Sequence, residues 1–126
     1  MRPLFTLSTV LLCICFSVSA SAKWIKIESA EELTALYSDT TLSFTFQGNS
    51  AKGEYCAEGT GVFRGEPRKW WVKENDQICF EAKGNTICYE YFKHHKKKNK
   101  YLGEPVAGGT KIYIKKKSGR PASCDE

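Results

Sequence analysis

Most of the residue patterns that carry catalysis are missing from this chain. It has only two histidines, His94 and His95, no Cys-x-x-Cys pair and no Gly-x-Ser-x-Gly nucleophile turn. Gly59-Thr60-Gly61 lacks the lysine and the helix that would make it a phosphate loop. The two histidines stand in a lysine run, where neighbouring positive charge lowers their affinity for protons and metals. Adjacent strand positions also point to opposite faces, so a shared metal is not expected. Carboxylate pairs can be drawn from Glu54 with Glu58 or from Glu81 with Glu90. Periodicity places the second pair near the surface, which argues against general acid and base roles. No catalytic residue, no metal and no cofactor is therefore assigned, and a non-enzymatic role is expected. No apolar stretch beyond Phe16 approaches membrane length, no internal repeat is evident, and no βαβ rhythm appears, which excludes a parallel sheet.

What is present begins with a leader. Met1-Arg2 is cationic, Leu4 to Phe16 is almost wholly apolar, and Ser17 to Ala22 is a run of small residues ending in Ala-x-Ala. This reads as a signal peptide over residues 1–22, cleaved after Ala22, and not as a transmembrane anchor, because the apolar run is short and no basic stop-transfer flank follows. Leu12 and Ile14 precede Cys13 and Cys15, so neither cysteine sits in a lipoprotein processing site. The remaining 104 of 126 residues, 23–126, make one domain. At that size a chain buries about two-thirds of its unfolded surface, too little for two lobes and a cleft. An exported location is expected, in the periplasm or outside the cell.

Four cysteines remain after the leader: Cys56, Cys79, Cys88 and Cys124. An even count in an exported domain implies two disulfides. If Lys83-Gly84 is a two-residue hairpin loop, Ala82 lies opposite Asn85, and counting outward sets Cys79 against Cys88 at a non-hydrogen-bonded site, where Cα atoms approach to about 4.5 Å. Cys56 to Cys124 follows by elimination and pins the polar tail, Ser118 to Glu126.

Ser29-Ala30-Glu31-Glu32 is a capping box, and Ala30, Leu33, Leu36 and Tyr37 share one helical face, which predicts a short helix over Ala30 to Tyr37. The period then changes to two. Leu42, Phe44 and Phe46 alternate with polar residues, followed by a turn-rich loop over Gly48 to Gly53. Further strands are predicted over Glu54 to Glu58, Gly61 to Arg64, Lys69 to Lys73, Gln77 to Ala82, Thr86 to Lys93 and Thr110 to Lys116. Turn signals at Gly65-Glu66-Pro67, Asn75-Asp76, Lys83-Gly84-Asn85 and Gly103 to Gly109 make each connection a hairpin. The fold class is all-β: an antiparallel meander of about six to eight strands, forming a small barrel or a twisted sandwich, with the helix covering a sheet face or barrel end.

The order Glu32-Leu33, Leu36-Tyr37-Ser38 and Thr41-Leu42, then Trp71-Val72, then Cys79-Phe80 and Cys88-Tyr89 resembles a family of small secreted alpha-proteobacterial proteins catalogued as domain of unknown function 995. The resemblance covers roughly Ala30 to Tyr91. It implies a bacterial, periplasmic or exported β-domain with structural cysteines and no established catalytic residues.

Two features bear on binding. Trp70 and Trp71 are strand neighbours, so one faces inward and one outward, and Tyr89, Tyr91 and Ile87 share a face that would line a barrel. Phe44, Phe80 and Tyr89 are the candidate lining of an interior ligand cavity. Charge is the stronger asymmetry: Lys93 to Arg120 holds ten basic residues and one acid, Glu104, whereas Lys23 to Phe92 is net acidic. Lys93, Lys96, Lys97, Lys98 and Lys100 are read as a hairpin tip, with Lys115, Lys116 and Lys117 ending the last strand at the same end of the domain. The expected role is a monomeric binding or interaction module of the envelope or the medium. Its lysine-rich end would meet an anionic lipid, lipopolysaccharide, an acidic glycan or an acidic protein surface, and not nucleic acid. The alternatives are a periplasmic hydrolase inhibitor and a small-ligand carrier built on a β-barrel. A connected apolar cavity lined by Phe44, Phe80 and Tyr89 would favour the carrier.

Overall fold

Three hairpins share one turn chemistry. Gln47-Gly48, Arg64-Gly65 and Lys83-Gly84 hold both residues at positive φ (47° and 78°, 53° and 79°, 52° and 81°). This is the type I′ geometry, whose twist matches that of paired strands and which favours glycine at its second position. The registers follow: Phe46 faces Asn49, Phe63 faces Glu66 and Ala82 faces Asn85. The computed structural model describes residues 23–126. The signal peptide expected over residues 1–22, with its cleavage after Ala22, lies outside the described residues.

In chain order the elements are β1 (Trp24–Lys26), α1 (Ala30–Tyr37), β2 (Thr40–Phe46), β3 (Asn49–Tyr55), β4 (Thr60–Phe63), β5 (Glu66–Lys73), β6 (Gln77–Ala82), β7 (Asn85–His94), β8 (Lys100–Pro105) and β9 (Ile112–Ser118), with a final 3-10 turn at Ala122–Asp125. Strands β7 to β2 pair in sequence, β2 pairs with β9, β9 with β8, and β8 returns to β7, closing an eight-stranded antiparallel barrel. Strand β1 is the extra one. Strand β7 takes β8 along one edge at Tyr89 to Lys93; its other edge takes β6 at Asn85 to Glu90 and then β1 at Phe92 to His94. Closure removes the exposed sheet edges that would otherwise invite pairing with another chain.

The two ends of the barrel differ. At one end lie the three type I′ turns and the β8–β9 loop. At the other, α1 covers the opening, with Leu33, Leu36 and Tyr37 fully buried against Leu42, Trp70, Ile78 and Ile114. Ser29 Oγ caps α1 by accepting from the amide of Glu32 at 3.3 Å. Glu32 turns its carboxylate to Lys93 Nζ, 3.1 Å away. The two disulfides are Cys79–Cys88, with Cα atoms 4.0 Å apart, and Cys56–Cys124, at 5.7 Å. The first spans the outer face of β6 and β7. The second ties the C-terminal tail to the β3–β4 turn, where Arg120 also binds Asp39, Glu58 and Asp125.

Three sequence expectations need correction. Gly48 to Gly53 is not a loop: β3 begins at Asn49, and its inward positions are Ala51, Gly53 and Tyr55. Two of those three are small, so no apolar alternation marks the strand, and its backbone bonds to β2 hold it instead. Gly103 to Gly109 is not all turn, since β8 runs to Pro105, and Gly103 packs where a Cβ would strike Ile112 at 2.8 Å. The strand expected over Glu54 to Glu58 is the end of β3 followed by a turn, since β3 stops at Tyr55 and the amide of Gly59 donates back to the carbonyl of Cys56 at 3.1 Å, and β1, three residues long, falls below the length at which alternation can be read.

Candidate functional site

Between the turn end and the buried Tyr37 the barrel interior is not filled. A cavity of about 250 Å³ is lined by Tyr37, Phe44, Phe46, Tyr55, Phe63, Arg68, Phe80, Ile87, Tyr89, Thr110 and Ile112. The three residues expected to line it, Phe44, Phe80 and Tyr89, all do. The β3 and β4 positions Gly53 and Gly61 carry no side chain, and the ring of Tyr55 occupies the space, within 2.6 Å of where either Cβ would stand. The aromatic lining is interlocked edge to face: Phe44 with Phe63 at 5.5 Å between centroids, Tyr37 with Phe80 at 5.1 Å, and Phe80 with Tyr89 at 6.1 Å. The floor is fixed by a buried hydrogen bond of 2.8 Å between the hydroxyls of Tyr37 and Tyr91. Burial pushes the ionisation of both phenols well up, so both stay neutral.

One lining residue breaks the apolar character. Arg68 faces inward on β5 and lies over the ring of Phe63 at 4.5 Å. Its Nε is buried without a hydrogen-bond partner. At the same end Arg64 stacks on Phe46 and Phe63 at 5.3 and 5.6 Å. Two acids there are paired: Glu66 with Lys83 at 3.0 Å and Glu104 with Lys111 at 3.2 Å. Sequence reasoning missed Arg68, because an Arg-Lys pair before two tryptophans reads as surface. The inward register of Trp70 would have found it, since residue 68 shares its face.

The lysines gather at the opposite end, over the side of the barrel next to α1. The tip is narrower than expected, since β7 runs through His94 and the turn spans residues 95–99. Lys97, Lys98 and Lys100 adjoin Lys115 and Lys116 in one shallow basin, and Lys100 is the cross-strand partner of Lys115. The Lys97 charge, with lesser contributions from burial, Lys23 and Lys115, lowers the pKa of Lys100. Two of the expected anion-binding lysines also have partners in α1. Lys93 is paired with Glu32, and Lys116 donates to the carbonyl of Ala35 in α1 at 2.7 Å, with burial pulling its pKa down. Lys96 and Lys117 are exposed, at the tip and on the outward face of β9 respectively.

The histidines behave differently from strand neighbours. His95 lies beyond β7, so the alternation stops, and the two rings stack at 4.9 Å. His94 Nδ1 accepts from the amides of Lys96 and Lys97 at 3.1 and 3.0 Å, which shapes the turn. Burial, then the charges of His95 and Lys23, hold its pKa below 6.5. An aromatic group that sequence reasoning did not foresee also flanks the lysines: Trp24 meets His94 edge-on at 5.1 Å and Tyr113 at 6.1 Å, and Tyr113 is half exposed. The proposed carboxylate pairs have structural partners. Glu54 accepts from Ser123, Glu58 from Arg120, and Glu90 pairs with Lys26, while Glu81 is exposed. Trp70 is buried and donates from Nε1 to the carbonyl of Cys56 at 2.9 Å, whereas Trp71 is partly exposed beside Cys79.

Fold and sites together define a disulfide-bonded, closed antiparallel barrel with an aromatic interior cavity at one end and a lysine cluster near the other. Among the described residues no group of histidine, cysteine and acidic side chains is arranged to hold a metal, and no helix is long and apolar enough to cross a membrane. No protein-family model, no curated protein and no solved structure matches the chain at a significant level. The resemblance of Ala30 to Tyr91 to domain of unknown function 995 rests on its sequence pattern alone.

Proposed function

We propose that the protein is an exported, non-catalytic carrier that binds one small, largely apolar molecule inside its barrel. The cavity between Phe44, Phe80 and Tyr89 carries this reading. Eight strands leave an interior that side chains just fill or that holds a single small ligand. Here the interior keeps a cavity of about 250 Å³. At about 250 Å³ the space exceeds the ~150 Å³ that takes a benzene and falls below the ~300–1,000 Å³ of drug-sized sites. The ligand is therefore of single-ring or medium-chain size. Ile87, which lines the cavity while 49% exposed, marks its entrance. The leader and the two disulfides support export.

The test is a titration of the oxidised protein with neutral 3-phenylpropanamide and octanamide, followed by NMR. Binding with Kd at or below about 1 mM is expected, with the largest shifts at Phe44, Phe80 and Tyr89 and none in Ile87→Trp, whose larger side chain fills the entrance. Absence of shifts at those residues with both amides and with the corresponding acids, 3-phenylpropanoate and octanoate, overturns the reading.

A second reading has its own observation. The Lys97, Lys98, Lys100 and Lys115 cluster adjoins Trp24 and Tyr113. Amphipathic aromatics beside lysines suit an anionic lipid surface, where rings sit at head-group level and each cation adds attraction. In this reading the basic end docks the carrier on a membrane.

A further inference from the structure

The cavity contains a positive charge and nothing to balance it. None of its eleven lining residues is an aspartate or glutamate, and Arg68 is the one that is always charged. Arginine does not escape burial by losing its proton, as a lysine can, so its charge is a standing demand on the site. Glu66, outside the cavity but within reach of the Arg68 charge, is held by Lys83 at 3.0 Å. The two phenols closest in charge to Arg68 do not supply an anion either. Burial raises the pKa of Tyr55 and of Tyr89, and Arg68 only partly offsets it. A buried guanidinium nitrogen left without an acceptor carries an unmet desolvation cost. Such a group is retained without penalty when a bound molecule supplies the acceptor.

Resting on the carrier reading, we propose that the ligand class is an organic carboxylate of single-ring or medium-chain size, its apolar body between Phe44, Phe80 and Tyr89 and its carboxylate on Arg68. The fork of guanidinium donors matches a carboxylate in plane and spacing, and the bond is charge-assisted. Phe63 lies under the guanidinium of Arg68, 4.5 Å away, and supports it on that side. Lys83 and Lys111 pair with two acids of this end, Glu66 and Glu104, and so weaken their repulsion of an entering anion.

The experiment compares each acid with its amide, 3-phenylpropanoate against 3-phenylpropanamide and octanoate against octanamide, by calorimetry near pH 7. The proteins are the oxidised wild type, Arg68→Met and Arg68→Lys, each checked for native near-ultraviolet circular dichroism. The expected result is a preference of about tenfold or more for one of the acids over its amide. The preference disappears in Arg68→Met and survives in part in Arg68→Lys. Acid and amide binding equally, with Arg68→Met indifferent, overturns the anchor and leaves the carrier intact. Failure of all four probes to bind the wild type overturns both. If Arg68→Met does not fold, the wild-type and Arg68→Lys comparison decides alone, since loss of the fork with charge retained still lowers the acid-to-amide ratio.

Discussion

Tyr37 and Tyr91 show how a single pair of atoms specifies the base of the barrel. Both rings are fully buried, and their hydroxyls satisfy one another at 2.8 Å, joining α1 to β7. Removing one hydroxyl leaves the other buried and unpaired, which costs about 1–3 kcal/mol; removing both takes away the bond and the orphan together. Tyr37→Phe and Tyr91→Phe are each expected to lower stability by that amount, and the double variant to lose less than the sum of the two. A double-mutant cycle in urea reads the coupling. Additive losses would show that each hydroxyl finds another partner. At this scale the sequence was informative where a side chain declares its face. Phe44, Phe80 and Tyr89 were legible because alternation fixes their direction. Arg68 was not, because polar residues are assumed to point outward, and the bonds of Lys93 and Lys116 to α1 were hidden for the same reason.

Elements were legible in proportion to how much of their stability is local. Helix α1 starts at its Ser29 cap and ends where its apolar face ends, and the β6–β7 hairpin is fixed by one turn, so the helix bounds and the hairpin register match expectation at the residue level. Strands β3 and β8 exist because their neighbours pair with them, and no window of their own residues contains that information. The disulfides divide along the same line. Cys79–Cys88 closes only 9 residues within a hairpin that its turn already registers, whereas Cys56–Cys124 closes 68 and holds a tail with one 3-10 turn. In the chain-entropy relation the first loop stabilises by about 2.5 kcal/mol and the second by about 4.5. Replacing Cys56 and Cys124 together by serine is thus expected to lower the denaturation midpoint more than replacing Cys79 and Cys88 together. The reverse order would mean that the tail contributes little and that the short bridge, on the outer barrel face beside Trp71, clamps the wall.

The whole molecule has two ends with different chemistry, and the lysine end carries a cost that the fold does not require. Lys100 and Lys115 are directly opposed across strands, with Lys97 close enough to depress Lys100 further. Like charges in that arrangement destabilise a sheet. A surface that only needed solubility would intersperse its charges. The variant Lys97→Gln/Lys100→Gln/Lys115→Gln separates the two accounts. If the cluster docks on anionic lipid, the variant is expected to be at least as stable as the wild type, most clearly at low ionic strength, yet to bind vesicles containing phosphatidylglycerol about tenfold or more weakly. Wild-type binding should itself fade as salt shortens the reach of the charges, and neutral vesicles should bind neither protein. The cavity opens among the β-turns at the other end, so Ile87→Trp should leave vesicle binding unchanged, and the glutamine variant should still bind the small probes. Vesicle binding that survives the three substitutions would move the contact to Trp24 and Tyr113. No binding by the wild type would reduce the lysines to a device that keeps barrels apart in solution, leaving the interior cavity as the site through which the protein acts.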